Sequence, residues 1–375
     1  MKRATLYAYV SRGLIANRRS ADGRTSLFDA DDVVRLAKRA RGRHGAPSDV
    51  TVASELTLLD GAAGGVWYRG VDVLRACREL RFEEIAWWLW TGSFERMNTW
   101  RSEPRTLAAA EHAQTALPRS TPPPERLPLV ASAVAAAHGR RMPGTRAASD
   151  VMATLLEALP GPKPGAAQFA IALASKLGTG SMPRALVKIL DASLSLTCEQ
   201  GLTSAALVAR LTTSAGGGVA AAVSSAMTAA LPQARAIEHL VTGIDTGSLD
   251  TMATDIAFST DVFRAGDPRA RVLLDMLGDA APKQASTIEA FCRSYDEPPT
   301  VSFALAAVAW ACGIAAPAAP AIPLVAQSVG WIAHALEEER KPTPYRPRLA
   351  YTGPAPVVGT PRRTIDAVRD YLARE

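Results

Sequence analysis

Aromatic residues make up only 6% of this 375-residue chain, and it has just four cysteines and five histidines. Cys77, Cys198, Cys292 and Cys312 stand far apart, with no pair at metal-ligand spacing. That excludes a zinc framework and a disulfide-stapled fold, and it fits a reducing cytoplasm. The start, Met1-Lys2-Arg3-Ala4, lacks the apolar stretch of a secretory leader. Long hydrophobic runs are scarce as well. Thr300 to Ala326 carries no charge, but it is Ala-rich and interrupted by Pro317, Pro320 and Pro323. It therefore reads as a buried helix followed by a Pro-rich turn rather than a membrane span. No internal repeat of solenoid length is visible.

What the chain does have is apolar bulk and a lopsided charge. With 48% apolar and 21% charged residues it can bury a large core, and its length allows two or three domains. The net charge is +6, yet residues 1–45 hold eleven Lys/Arg against four Asp, and the rest of the chain 31 against 32. The basicity therefore belongs to one terminal segment, and that segment alone hints at an anionic partner.

Within the basic segment, Ala4 to Ile15 reads as a short helix. Asn17 to Leu27 reads as a hairpin centred on Asp22-Gly23, and Asp31 to Arg41 as a second helix. Arg39 to Pro47 forms the linker. This order resembles the MerR/excisionase type of winged helix-turn-helix, with TLYAYVSRGLI in the place of the recognition helix and DDVVRLAKRAR after the wing. The bracing helix that such a motif requires has no counterpart before Met1. Two readings of residues 1–45 stand: a partial motif with weak DNA binding, or a basic cap that packs on the main domain.

From Ser54 onward the pattern is helix after helix, punctuated by Gly and Pro. Ala-rich stretches at Ala131 to Ala137, Ala205 to Ala230 and Phe303 to Ala311 suit close helix packing in a large all-α protein. Four blocks, in order, resemble the citrate synthase family. They are SELTLLDGAAGGVWYRGVDVL with FEEIAWWLWTG (Ser54 to Gly92), VFRAGDPRARVLLDML (Val262 to Leu277), PTVSFALAAVAWACGI (Pro299 to Ile314) and VGWIAHALEE with YRPRLAYTGP (Val329 to Pro354). The resemblance implies an all-α dimer, with a large helical domain over 46–231 and 326–375 and a small one over 232–325, preceded by the 1–45 segment.

Family chemistry joins the methyl carbon of an acyl-CoA to the ketone of oxaloacetate, giving citrate or 2-methylcitrate. It needs a carboxylate base, imidazoles that hold the enol and polarise the ketone, and arginines for the carboxylates. No metal is implied, and no cofactor beyond acetyl-CoA or another acyl-CoA as ligand. Carried over residue by residue, the resemblance places Gln200 at the oxaloacetate-binding His, with Arg210 as the anchor. Arg235 falls near the enol-binding His, and Thr260, followed by Asp261, at the ketone-polarising His. Ser302 stands at the general base, and Gln327 at a carboxylate-binding Arg. Five polar functions are thus replaced, although Gln200 still carries hydrogen-bond donors. His239 lies four residues past Arg235, and His334 sits in the GWIAH helix as a structural residue. Arg269 of DPRA and Arg346 of RPR match the family's oxaloacetate ligands, the second lent across the dimer; Arg348 reads as a surface charge.

Three functions follow. The substitutions favour a non-catalytic or regulatory subunit that pairs with itself or with an active citrate synthase paralogue. The alternatives are a ligand-sensing DNA-binding regulator and an enzyme with altered acyl-CoA chemistry. Partners expected on this basis are oxaloacetate, citrate or an acyl-CoA, with no membrane association.

Overall fold

The computed structural model describes residues 51–94, 100–139, 142, 144–163, 168–258, 262–263, 265–343 and 345, together with the backbone of two short strands at 17–19 and 26–28. The chain divides into two units, Ala53–Tyr345 on one side and Met1–Val52 with Arg346–Glu375 on the other. In the latter, β1 (Asn17–Arg19) and β2 (Ser26–Phe28) pair antiparallel, Asn17 opposite Phe28 and Arg19 opposite Ser26. That register centres on Asp22-Gly23, as the turn residues predict. The helices expected over 4–15 and 31–41 lie outside the described residues.

The larger unit begins with a three-stranded meander, β3 (Thr57–Asp60), β4 (Gly65–Tyr68) and β5 (Val71–Asp72). Its first turn is held by Asp60, whose Oδ1 accepts the amides of Ala62 and Ala63 at 2.9 Å each, an Asx turn. Its second turn is Arg69-Gly70, both at positive φ (46° and 79°). Arg69 holds this costly conformation because its Nε donates to the Leu89 carbonyl at 2.7 Å and its amide to Leu56 at 2.8 Å. Asp72 then caps α1 (Val73–Glu79) through the Leu74 amide. In α2 (Phe82–Thr91), Glu84 Oε2 accepts the Arg81 amide at 2.8 Å, while the Glu84 amide donates to the Arg81 backbone carbonyl at 3.0 Å.

The remaining described helices are α3 (Pro104–Ala113), α4 (Pro123–His138), α5 (Gly144–Glu157), α6 (Phe169–Lys176), α7 (Arg184–Thr197), α8 (Ser204–Ser214), α9 (Val219–Ala234), α10 (Ala236–Thr246), α11 (Thr251–Phe258), α12 (Pro268–Ala280), α13 (Pro282–Cys292), α14 (Val301–Ala311) and α15 (Ala321–Arg340). The Ala-rich α9 packs against α4, α8 and α15, where small side chains let the axes approach. A second cluster, α10 to α13, gathers around α14.

α14 is apolar all round and almost wholly buried, the signature of a central helix. Thr300 caps it by accepting the Phe303 amide while donating its own hydroxyl to Ile256. The expected Pro-rich turn follows as a 3₁₀ turn at Ala316–Ala318. Pro323 falls in the first turn of α15, where a missing N–H is tolerated. α15 is long and apolar enough to cross a membrane, yet 94% of its apolar window is buried inside the protein. Trp331, Val329 and Ile332 on it are each at most 2% exposed. Burying side chains of this kind stabilises the fold by about 1.5–3 kcal/mol each.

Where α2 meets α7, two carboxylates are buried together. Asp191 accepts the Phe82 amide at 3.1 Å and Glu83 the Phe169 amide at 2.7 Å. Burial, and next the charge of Glu83, push Asp191 up to about 7, against the opposing pull of Gln168, the Phe82 amide and Arg81. A carboxyl raised in the folded state contributes stability below its unfolded pKa and loses it as pH climbs through about 7. Asp191→Asn, which keeps an oxygen for Phe82, should therefore raise the melting temperature more at pH 8 than at pH 5. Equal gains in a thermal-shift measurement at the two pH values would contradict this assignment.

Candidate functional site

The turn after α7 is clamped from several directions. The buried hydroxyls of Ser193, Ser195 and Thr197 donate to carbonyls one helical turn earlier, so the end of α7 carries polar groups at little cost. Tyr68 donates to the Glu199 carbonyl at 2.9 Å, and Glu199 Oε1 accepts the Gly201 amide at 2.6 Å. Burial pushes the Tyr68 hydroxyl well above its ordinary pKa, so it stays a donor. Gly330 of α15 approaches so closely that its amide bonds to the Cys198 carbonyl at 3.0 Å.

Behind that turn runs a buried ionic chain. Arg210 of α8, 1% exposed, donates from Nε to His334 Nδ1 at 2.9 Å and from Nη1 to Glu338 at 3.0 Å. Its Nη2 meets Glu337. Because Nδ1 of His334 accepts, the ring proton sits on Nε2. Nε2 lies 3.3 Å from Glu199 Oε2, within ion-pair distance but off the hydrogen-bonding line. Ser54 and the Glu55 amide also bond Glu337, and Tyr345 bonds Glu338. Burial alone would raise the Glu337 pKa, but the Glu55 amide, Ser54 and Arg210 together hold it below the ordinary range. His334 thus accepts from Arg210 and packs beside Glu199 without bonding it.

Gln200, held by this turn, lines a cavity of about 80 Å³ together with Ser302, Gln327 and Gln233. Ser302 comes from the first turn of α14, Gln327 from the middle of α15 and Gln233 from the end of α9. Thr197 and Thr203 add hydroxyls, and Ile237, Val301 and Leu305 add apolar wall. No charged side chain lines this cavity among the described residues. Among the described residues, no hydrogen bond is made by the side chains of Gln200, Gln233, Ser302 and Gln327. The structure therefore brings together three positions singled out from sequence, Gln200, Ser302 and Gln327.

Arg235 does not line this cavity. It caps α10 and pairs with Glu125 at 2.8 and 2.9 Å on the surface. The reason is helical periodicity: Ala230, Gln233, Ala234 and Ile237 share the cavity face at spacings of three, four and seven, and Arg235 falls off that face. Gln233 was missed, although that same spacing would have found it. His239 is exposed and lines no part of the cavity.

Arg269, at the start of α12, is buried against Asp267, with Nε and Nη2 bonded to its two carboxylate oxygens at 3.0 and 2.8 Å. Its guanidinium also stands 5.6 Å from the Phe263 ring, and it does not line the cavity. Thr260, Arg346 and Arg348 lie outside the described residues. All four cysteines are free, and burial lifts them, Cys77 and Cys312 to about 12, Cys292 to about 11 and Cys198 well upward, so none supplies a thiolate nucleophile at neutral pH. No group of metal-ligating side chains occurs among the described residues.

Residues 47–234 and 256–348 match the family model for citrate synthase, C-terminal domain. The chain belongs to the citrate synthase family. Its curated relatives include proteins named "Putative citrate synthase 2" from Mycobacterium tuberculosis and Mycobacterium bovis, 31% identical over 195 residues, which cover 45% of this chain and 52% of theirs. The chain thus spans about half the length of the curated relatives it matches. Citrate synthase from Thermotoga maritima shares the fold at a TM-score of 0.64 and 20% identity, over 84% of this chain and 97% of that one. Citrate synthase from Thermoplasma acidophilum, solved as a ternary complex with carboxymethyl coenzyme A and oxaloacetate, gives 0.65 at 18% identity, over 84% and 98%. The all-α fold and the family membership expected from the sequence blocks are both established.

Proposed function

We propose that this citrate synthase family member does not by itself condense an acyl-CoA with oxaloacetate, and serves as a non-catalytic or regulatory subunit, dimerised with itself or with an active paralogue. The observation that carries the reading is the cavity where Gln200, Ser302 and Gln327 meet: it has no titratable side chain among its described lining residues. Removing a proton from a thioester methyl needs a positioned base, and such a group contributes about 10²–10⁴-fold. The Ser302 hydroxyl has neither an imidazole nor a carboxylate beside it in that lining. Losses of several members of one constellation do not add, but together they leave little rate.

Arg346 supports the helper role at the sequence level, since YRPR keeps the family's local order. In this role acyl-CoA and oxaloacetate are ligands of the partner's completed site. The test is CoA release from acetyl-CoA and from propionyl-CoA with oxaloacetate, on the purified chain alone and mixed with an active paralogue. The expected result is no release above blank from the chain alone. Turnover by the clean protein that tracks the enzyme peak would sink the proposal.

A further inference from the structure

We propose that Glu83 and Asp191 share one proton and that its loss frees the start of α6 from α2, so that the pair works as a pH-operated latch between these helices. The inference is independent of the non-catalytic reading and rests on how the pair is built. Asp191, on α7, accepts the amide of Phe82, the first residue of α2. Glu83, on α2, accepts the amide of Phe169, the first residue of α6. Three helices are thus tied in series through two carboxyl groups. Glu83 is 8% exposed and Asp191 4%. One oxygen of each, Glu83 Oε2 and Asp191 Oδ1, is buried with no hydrogen-bond partner among the described residues. Two such groups without a cation do not both ionise readily in an interior. A single proton held between them turns two orphaned oxygens into one O–H···O⁻ bond, a strong class of hydrogen bond.

The other titratable groups on the helices packed around the pair leave it to itself. Cys77 of α1 is neutral, its thiol lifted by burial to about 12, and the charged groups of α1 are exposed. Arg81 pairs with Glu84 and acts on Asp191 only through its field. Lys188, three residues before Asp191 on α7, is exposed and makes no ion pair among the described residues. Arg271, Asp275 and Asp279 of α12 are exposed, and α14 carries no charged residue. The titratable groups of α15 occupy its last two turns, and α6 has only Lys176, at its far end.

The latch bears on an aromatic cluster. The rings of Phe82 and Phe169 stand 5.3 Å apart, and both lie against Trp100, at 5.9 and 5.4 Å. When the proton passes to solvent, two like charges are left together in the interior. The joint that yields is the bond from Glu83 to the Phe169 amide, because α6 is only eight residues long, whereas α2 is also anchored by Trp90, whose indole donates to the Val329 carbonyl at 3.0 Å. The release develops between the ordinary carboxyl pKa of about 4 and the value of about 7 to which burial and Glu83 push Asp191.

Two measurements on the full chain test this. Infrared difference spectra at pH 6, where ordinary carboxyls are ionised, should show the carbonyl stretch of a protonated carboxyl that is absent from Asp191→Asn and from Glu83→Gln. Hydrogen exchange in the α6 peptide, corrected for the intrinsic effect of pH, should quicken by about tenfold or more from pH 5 to pH 8. In either variant the change should fall below about twofold, because a carboxamide supplies a permanent N–H where the proton sat while keeping an oxygen for the helix amide. Amides of α8, which lies apart from the pair, should keep their protection throughout. No protonated carboxyl at pH 6, α6 exchange that ignores pH, or equal changes in α6 and α8 would each overturn the inference. So would protection restored at pH 8 by sodium or potassium, which would put a metal ion in place of the proton.

Discussion

Arg210→Met is expected to lower the stability of the chain by about 3–5 kcal/mol, the range for breaking a buried ion pair from one side. For a chain of this size that is a drop in melting temperature on the order of 10 °C. The cost comes from what is left behind. Glu338 is 1% exposed and Glu337 is largely buried; both carboxyl groups would be left in the interior without their cation. His334 Nδ1 would lose its donor, and with it the fixed proton position toward Glu199. Removing the acids as well, in Arg210→Met with Glu337→Gln and Glu338→Gln, should recover much of the loss, because the penalty is an uncompensated charge rather than a missing contact. Thermal and urea unfolding of both variants measure this. A single-variant loss under about 1 kcal/mol would mean the network is solvated after all.

Gly330→Ala should be nearly as damaging, for a steric reason. A Cβ at this position would sit 2.5 Å from Glu199 Oε2 and closer still to the carbonyl oxygen of Cys198. A side chain can rotate away, but a backbone carbonyl already bonded to the Gly330 amide cannot. α15 would therefore have to move off the 198–201 turn, at a cost of about 1–3 kcal/mol or more. Gln200 lies in that turn, so the substitution should also shift its side chain in the cavity wall. Gly278→Ala is the control: it lies in α12 with nothing within 4 Å of the added methyl, and should stabilise the chain by about 0.5–1 kcal/mol. Unfolding curves in which the two substitutions behave alike would show that the contact at Gly330 relaxes freely.

The parts of this fold that were legible in the sequence are those set by local chemistry. LLDGAAGG announces β3, its Asx turn and β4, and YRG announces the left-handed turn that follows, because Asp and Gly dictate backbone there without tertiary help. The buried α14 and the turn after it were legible from an uncharged run with prolines at its end. Gln200, Ser302 and Gln327 could be placed because conspicuous neighbours fix their register: Arg210, the Phe303 to Gly313 run and Gly330-Trp331. Arg235 could not be placed in the same way. The stretch around it is Ala-rich and lacks the family's glycines, so only the helical face, settled by packing of α9 on α4 and α15, decides which residue reaches the cavity. The buried ionic chain was illegible, since Ser54 and Arg210 are far in sequence from each other and from the His334, Glu337 and Glu338 of α15, and nothing local to them calls for the others.

That distance has a consequence for how the chain is made. The bond from Ser54 to Glu337 closes a span of 283 residues, and the helix that fills the core, α15, is among the last described segments to be synthesised. At roughly 5–20 residues per second, the helices from α4 to α9 emerge many seconds before α15 can cover them. Their alanine-rich faces spend that interval against solvent. The apolar contacts that α15 makes with α9, α8, α2, α7 and α5 are therefore closed only late in synthesis.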